Sequence, residues 1–294
     1  MNVSAESIVE ALLSAGYQIE QWSLLRTGQN SIAILANDAW VFRYPLHRGA
    51  ADSMELEVAV LRVVHGRLPV FTPDPEISVE VEGLDWRVIA YPFIPGQILC
   101  KDQISDMGAA SLSRLGKDLG RFLTTLHSTP SSLFIGSNLR DEDINQRWAS
   151  FMEDVRSVLK PRITSSEWNR SNRKLNKSIE KIKMFQYETV LCHRDFGLGN
   201  FVFDGRSRLA GVIGFGSAGL GDPAVDIATL IGTNALGDSM IEYVRPAYTL
   251  TDDLLQRARI YSATFPLQQA LLGAKNDDED ELDIKDGIYV YLNE

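Results

Sequence analysis

Residues 191–200 read Leu-Cys-His-Arg-Asp-Phe-Gly-Leu-Gly-Asn. They lead into Phe201-Val-Phe-Asp-Gly205, then Leu209-Ala-Gly-Val-Ile-Gly-Phe-Gly216, then Gly221-Asp-Pro-Ala-Val-Asp226. The apolar runs Val190–Cys192, Phe201–Phe203 and Leu209–Ile213 have the length of short buried strands. Between the first two lies a polar loop. It projects one carboxylate, Asp195, and five residues later one carboxamide, Asn200. Gly197 and Gly199 allow the bend between them. Asp222 ahead of Pro223 reads as an N-cap before an N1 proline, opening a helix through Leu230.

The chain before this stretch alternates short strands with helices. Residues 4–15 have the spacing of an amphipathic helix, with Ile8, Leu12 and Leu13 on one face. Ser23 to Leu35 reads as strand, turn and strand. The turn at Thr27-Gly-Gln-Asn-Ser31 holds residues that tolerate a left-handed backbone. Trp40–Tyr44 is a third strand, stopped by Pro45, with Arg43 among apolar neighbours. Ser53–Val64 is predicted helical, with Glu57 close to the apolar face of Leu56, Val60, Val63 and Val64. Ile77–Glu82 and Trp86–Tyr91 form a hairpin around Glu82-Gly83. Pro92-Phe-Ile-Pro-Gly96 cannot continue a ladder and is read as the linker between two lobes.

Beyond the linker the pattern is mainly helical. Leu112, Leu115, Leu119, Phe122, Leu123 and Leu126 follow helical spacing and end at His127. Residues 140–160 and 165–187 are two further helices, and 236–292 is helical apart from an acidic loop at 276–283. The expected class is α+β: a small N-terminal lobe over 1–91, a linker at 92–96 and a larger helical lobe over 97–294.

The totals narrow the function. The 294 residues suffice for a full core in two lobes, and 45% hydrophobic with 23% charged residues is ordinary globular composition. A net charge of -10 opposes nucleic-acid binding and favours attraction of cationic small molecules. Two cysteines, Cys100 and Cys192, beside apolar residues, point to reduced structural thiols in a cytoplasmic protein. No stretch has the signature of a signal peptide or a membrane span.

A carboxylate and a carboxamide at this spacing suit phosphoryl transfer, which needs positioning and charge neutralisation more than covalent chemistry. Asp195 would orient an acceptor hydroxyl and Asn200 would hold magnesium through its amide oxygen. Arg43 would neutralise phosphates, steadied by Glu57, beneath backbone N–H groups of the Gly28 to Ser31 turn. Taken singly, each residue has a plainer reading. Asp195 and Asn200 are turn-formers, Arg43 an edge-strand charge, Glu57 a solvated helix residue and His127 a packed histidine. The acidic run of Asp277, Asp278, Glu279, Asp280, Glu281 and Asp283 reads as a solvated loop or, more sharply, as a site for a polycation.

At these residues the sequence resembles the aminoglycoside phosphotransferase family, a branch of the protein-kinase-like fold, and loosely its 2″-hydroxyl subgroup. The resemblance implies a bilobal protein with a five-stranded N-terminal sheet, ATP or GTP as co-substrate, and Mg2+. It places Asp195 on the catalytic aspartate, Asn200 on a magnesium ligand, Arg43 on the phosphate-binding strand position and Glu57 on its helix partner. Pro92 and Ile94 fall on the segment whose backbone meets the nucleobase; Leu126-His127 and Gly221-Asp-Pro223 are also family-like. Gly28 and Ser31 complete the expected nucleotide site. One position departs from the pattern. The family reads Val-Ile-Asp-Phe-Gly where this chain has Val212-Ile-Gly-Phe-Gly216, so Gly214 replaces a metal-binding carboxylate. The expected function is an antibiotic-type small-molecule kinase with impaired activity. A non-catalytic kinase-like binding module, or a kinase for a macrolide or amino-alcohol, stands as the alternative.

Overall fold

The computed structural model describes residues 3–28, 30–135, 139, 144–232, 236–275 and 281–293, with 281–283 described by backbone alone. Helix α1 (Ala5–Ser14) is opened by a Ser4–Ser7 capping box. An antiparallel sheet follows, in the order β1-β2-β3-β5-β4. Its strands are β1 (Trp22–Thr27), β2 (Ser31–Ala36), β3 (Trp40–Pro45), β4 (Ile77–Val79) and β5 (Val88–Pro92). The predicted hairpin is shorter than its apolar pattern: Ile77 faces Ala90, Val79 faces Val88, and residues 80–87 form the connection.

Alternation on β2 and β3 gives this sheet two apolar faces. Ile32, Ile34, Ala36, Phe42 and Tyr44 pack with α1, whereas Val41, Ile89 and Tyr91 pack with Met54 and Val58 of α2 (Arg48–Val64). Helix α2 begins five residues before the predicted start. Its N-cap is His47, whose Nδ1 accepts from Ala50 N at 3.2 Å. Histidine is not among the usual capping residues, so the sequence signal was absent. The far end of α2 leaves the small sheet: Val60, Leu61 and Val64 belong to the large core of the rest of the chain.

Residues 92–96 lead directly into β6 (Gln97–Ile98), which joins a second sheet of order β6-β8-β9 with β8 (Phe201–Phe203) and β9 (Leu209–Val212). Helix α3 (Lys101–Ser105) and the long α4 (Ala109–His127) come next. Leu115, Leu119, Phe122, Leu123 and Leu126 of α4 are all buried. α5 (Ile144–Asp154) and α6 (Ser165–Ile182) precede β7 (Val190–Cys192), which pairs with β10 (Gly219–Gly221). The chain continues through α7 (Ala224–Ile231), α8 (Met240–Val244), α9 (Asp252–Ser262), α10 (Phe265–Lys275) and α11 (Glu281–Asn293). The acidic run falls at the start of α11 and before it. Residues 277–280 lie outside the described residues, as do the side chains of Glu281 and Asp283. Cys192 is buried as expected; Cys100 is exposed, so only one of the two thiols is a packed one. Among the described residues no helix is long and apolar enough to cross a membrane.

Candidate active site

The loop between β7 and β8 is built from below. His193 is fully buried and threads two elements together: its Nε2 donates to Ile213 O at 2.9 Å, while Nδ1 accepts from Asp195 N at 3.3 Å. Arg194 takes a positive φ of 65°, a conformation that strains a non-glycine residue and persists only when its surroundings hold it. Asp226 supplies that hold. Its Oδ1 accepts from Arg194 N at 2.6 Å and its Oδ2 from His193 N at 2.9 Å. The Arg194 guanidinium donates to Leu220 O at 2.7 Å and lies where a Cβ on Gly219 would fall, 2.7 Å from its Cζ. The bend therefore turns on Arg194; Gly197 and Gly199 avoid the left-handed region.

A partly buried chain of hydrogen bonds extends beneath Asp226. His127 Nε2 donates to Asp226 Oδ2 at 3.0 Å, and His127 Nδ1 meets the Tyr248 hydroxyl at 2.7 Å. Burial pushes the Asp226 carboxyl up, but the His127 hydrogen bond and charge, with the His193 contacts, outweigh it and hold it below the ordinary carboxylate range. His127 is thus more than a packed helix end. Asp222 is spent elsewhere: Oδ1 accepts from Ala224 N at 2.9 Å, and Oδ2 accepts from Arg257 Nε at 2.8 Å and the Tyr261 hydroxyl at 3.2 Å. Neither Asp222 nor Asp226 is available to replace a carboxylate at position 214.

Above the loop, Asp195 is exposed and Asn200 bends back onto it. Asn200 Nδ2 donates to Asp195 O at 2.7 Å and to Asp195 Oδ2 at 2.8 Å. Both residues line a cleft of about 910 Å³ shared with Gly28, Ser31, Arg43, Glu57 and Ile94. Of the expected site residues Pro92 alone is absent from this lining; it ends β5, and its neighbour Phe93 reaches the cleft instead. Gly28 N donates to Ser31 O at 3.0 Å, and Gly28 itself avoids the left-handed region.

Arg43 Nη1 pairs with Glu57 Oε2 at 2.8 Å, with Glu57 almost wholly buried. Burial works against the Arg43 charge. Glu57 and the adjacent Tyr91 more than compensate and hold the guanidinium above its ordinary range. Burial in turn raises the Tyr91 phenol, partly offset by Arg43. Tyr91 is a member of this site that the residue pattern did not reveal, because an inward tyrosine on a strand looks like core.

The donor set does not fit the expected magnesium ion. Magnesium favours hard oxygen ligands with carboxylates among them. Position 214 offers no side chain, Asn200 contributes one neutral oxygen while its amide nitrogen is spent on Asp195, and Asp195, the carboxylate beside it, accepts that nitrogen on Oδ2. Glu57 Oε1 is buried with no hydrogen-bond partner, yet its carboxylate belongs to the Arg43 pair. Among the described residues, the grouped metal-type ligands are His127, Cys192 and Asp226. They lie under the loop, with His127 and Asp226 already engaged with each other.

Comparison with known proteins bears on the family and the fold. The chain is 28% identical over 250 residues to viomycin phosphotransferase of Streptomyces vinaceus, covering 83% of this chain and 84% of that protein. The fold matches the GDP complex of wild-type aminoglycoside 2′-phosphotransferase-IIIa with a TM-score of 0.86 at 21% identity, covering 98% and 97% of the two chains. It also matches a macrolide 2′-phosphotransferase from Brachybacterium faecium with a TM-score of 0.73 at 18% identity, covering 98% of each chain. The model of the phosphotransferase enzyme family matches residues 24–261, which is most of the chain. With its kinase-like fold, the chain belongs to the phosphotransferase enzyme family and so to the small-molecule kinases.

Proposed function

We propose that this chain is a nucleoside-triphosphate-dependent O-phosphotransferase whose acceptor is a cationic, hydroxylated antibiotic, and that Gly214 makes it slow. One observation supports this reading above the others: Asp195 and the Arg43–Glu57 pair face the same cleft. Asp195 orients the acceptor hydroxyl and takes its proton as the phosphoryl group arrives. Arg43 meets the phosphates, Glu57 keeps it aimed, and the Gly28 to Ser31 turn covers them. Residues 92–96 act as the hinge between lobes 1–91 and 97–294, with Phe93 and Ile94 beside the nucleobase. The net charge of -10 draws a cationic acceptor.

The named relatives give the acceptor panel: viomycin, the kanamycin and gentamicin of solved complexes, and a macrolide. Losing a charged ligand to the transferring group costs ~3–5 kcal/mol, or a factor of ~10²–10⁴ in rate. The test is nucleotide-coupled phosphorylation of that panel by the chain and by Gly214→Asp. Transfer to at least one acceptor, faster in the variant by about that factor, is the expected result. No transfer to any acceptor by either protein defeats the antibiotic reading.

A second reading, a kinase-shaped binding module, is favoured by one feature: Asn200 is turned to Asp195 beside a glycine. It predicts nucleotide binding with no turnover even in Gly214→Asp.

A further inference from the structure

Asn200 sits in the space that any side chain at position 214 would need. A Cβ built on Gly214 falls 2.3 Å from Asn200 Oδ1 and 2.8 Å from its Cγ, closer than real Cβ contacts come. The seat of Asn200 therefore depends on the glycine. From that seat its nitrogen makes both contacts to Asp195, while its oxygen faces Gly214. The substitution thus does two things together. Against the family pattern it brings no carboxylate, and it lets the Asn200 side chain fold onto the loop.

The opposite wall supplies positive charge from the protein. Arg26 and Arg43 line the cleft, and so do Gly49 and Ala50 from the first turn of α2. α2 is a 17-residue helix whose N-terminal end is favourable to anions. The Ala50 N–H is already taken by His47 Nδ1, so what this wall offers a polyphosphate is the guanidinium groups of Arg26 and Arg43 beside a helix N-terminus, where a carboxylate-rich set for a divalent ion is not in place.

We propose that this cleft binds its nucleotide as the metal-free polyphosphate anion, with Asn200 committed to Asp195 instead of to a cation. This rests on the reading that the cleft is the nucleotide site.

The experiment is a fluorescence titration with methylanthraniloyl-ATP and methylanthraniloyl-GTP, each in excess magnesium and in EDTA. The chain itself should bind at least one of them with Kd values that agree within about threefold between the two conditions. Gly214→Asp should turn Asn200 outward and tighten in magnesium by about tenfold or more. Gly214→Asn displaces Asn200 in the same way without adding charge, and should not respond to magnesium. Asp and Asn are the side chains best suited to the φ of +79° at this position, and thermal melts check that both variants fold. Tenfold tightening of the unaltered chain by magnesium overturns the proposal and leaves the phosphotransferase reading standing. Binding of neither nucleotide in either condition overturns both. The measurement on the unaltered chain decides the matter even if a variant fails to fold.

Discussion

The two sides of the Asp195 loop are built to different standards. Beneath it, His193, Asp226, His127 and Tyr248 are linked by contacts of 2.7–3.0 Å, and His193 and Asp226 are buried. Above it, Asn200 is half-exposed and rests beside a glycine that offers it nothing to bind. The Asp195 loop is thus held by a dense set of hydrogen bonds on one side, while on the other a glycine leaves Asn200 free to rest on the loop itself. The scaffold and the charge-handling groups use separate residues, so a change on one side need not unfold the other.

That separation is tested most severely from below. Asp226→Ala leaves the N–H groups of His193 and Arg194 without their acceptor and removes the hold on a strained residue. Breaking a buried charged network in this way costs about 3–5 kcal/mol, and denaturant unfolding should show a loss of that size. Gly214→Asp, above the loop, should change unfolding by under about 1.5 kcal/mol, since Asp tolerates a left-handed backbone and the displaced Asn200 is not a core residue. Comparable losses from the two substitutions would erase the distinction between the two sides.

A smaller effect is expected at the cleft wall. Glu57→Gln keeps the shape of the side chain and removes its charge, leaving Arg43 partly exposed to the cleft without its anion. A loss of about 1–3 kcal/mol should follow, less than for a fully buried pair because solvent reaches Arg43. In nucleotide titrations the same variant should bind more weakly if Glu57 aims Arg43, and unchanged binding would detach the pair from the phosphates.

Local signals account for much of what the residues disclosed. Asp195 and Asn200 lie close in the chain, and the strands around them are marked by uninterrupted apolar runs. Arg43 and Glu57 were recognisable as a charge on an apolar strand and an acid near an apolar helix face. Legibility failed where a partner is distant or has no side-chain signature. Asp226 acts on backbone N–H groups more than 30 residues away. β10 is Gly-Leu-Gly, with almost no strand character. Tyr91 and His127 look like core residues until the charged groups beside them are known. The start of α2 was hidden because an imidazole caps it.

The mildest test of the lower network is by pH. The Asp226 carboxyl is held below its ordinary value of 3.8 in the folded chain. A depressed carboxyl stabilises the fold above its unfolded pKa, and that contribution is lost as pH falls through the folded value. The stability gap between the chain and Asp226→Asn should therefore be full near neutrality and narrow as the pH drops below about 4. Tyr248→Phe should leave this window in place, because Tyr248 touches His127 and not the carboxylate. It should lose only about 0.5–1.5 kcal/mol for one hydrogen bond. A gap for Asp226→Asn that is independent of pH would mean that its charge contributes little and that shape alone holds the loop.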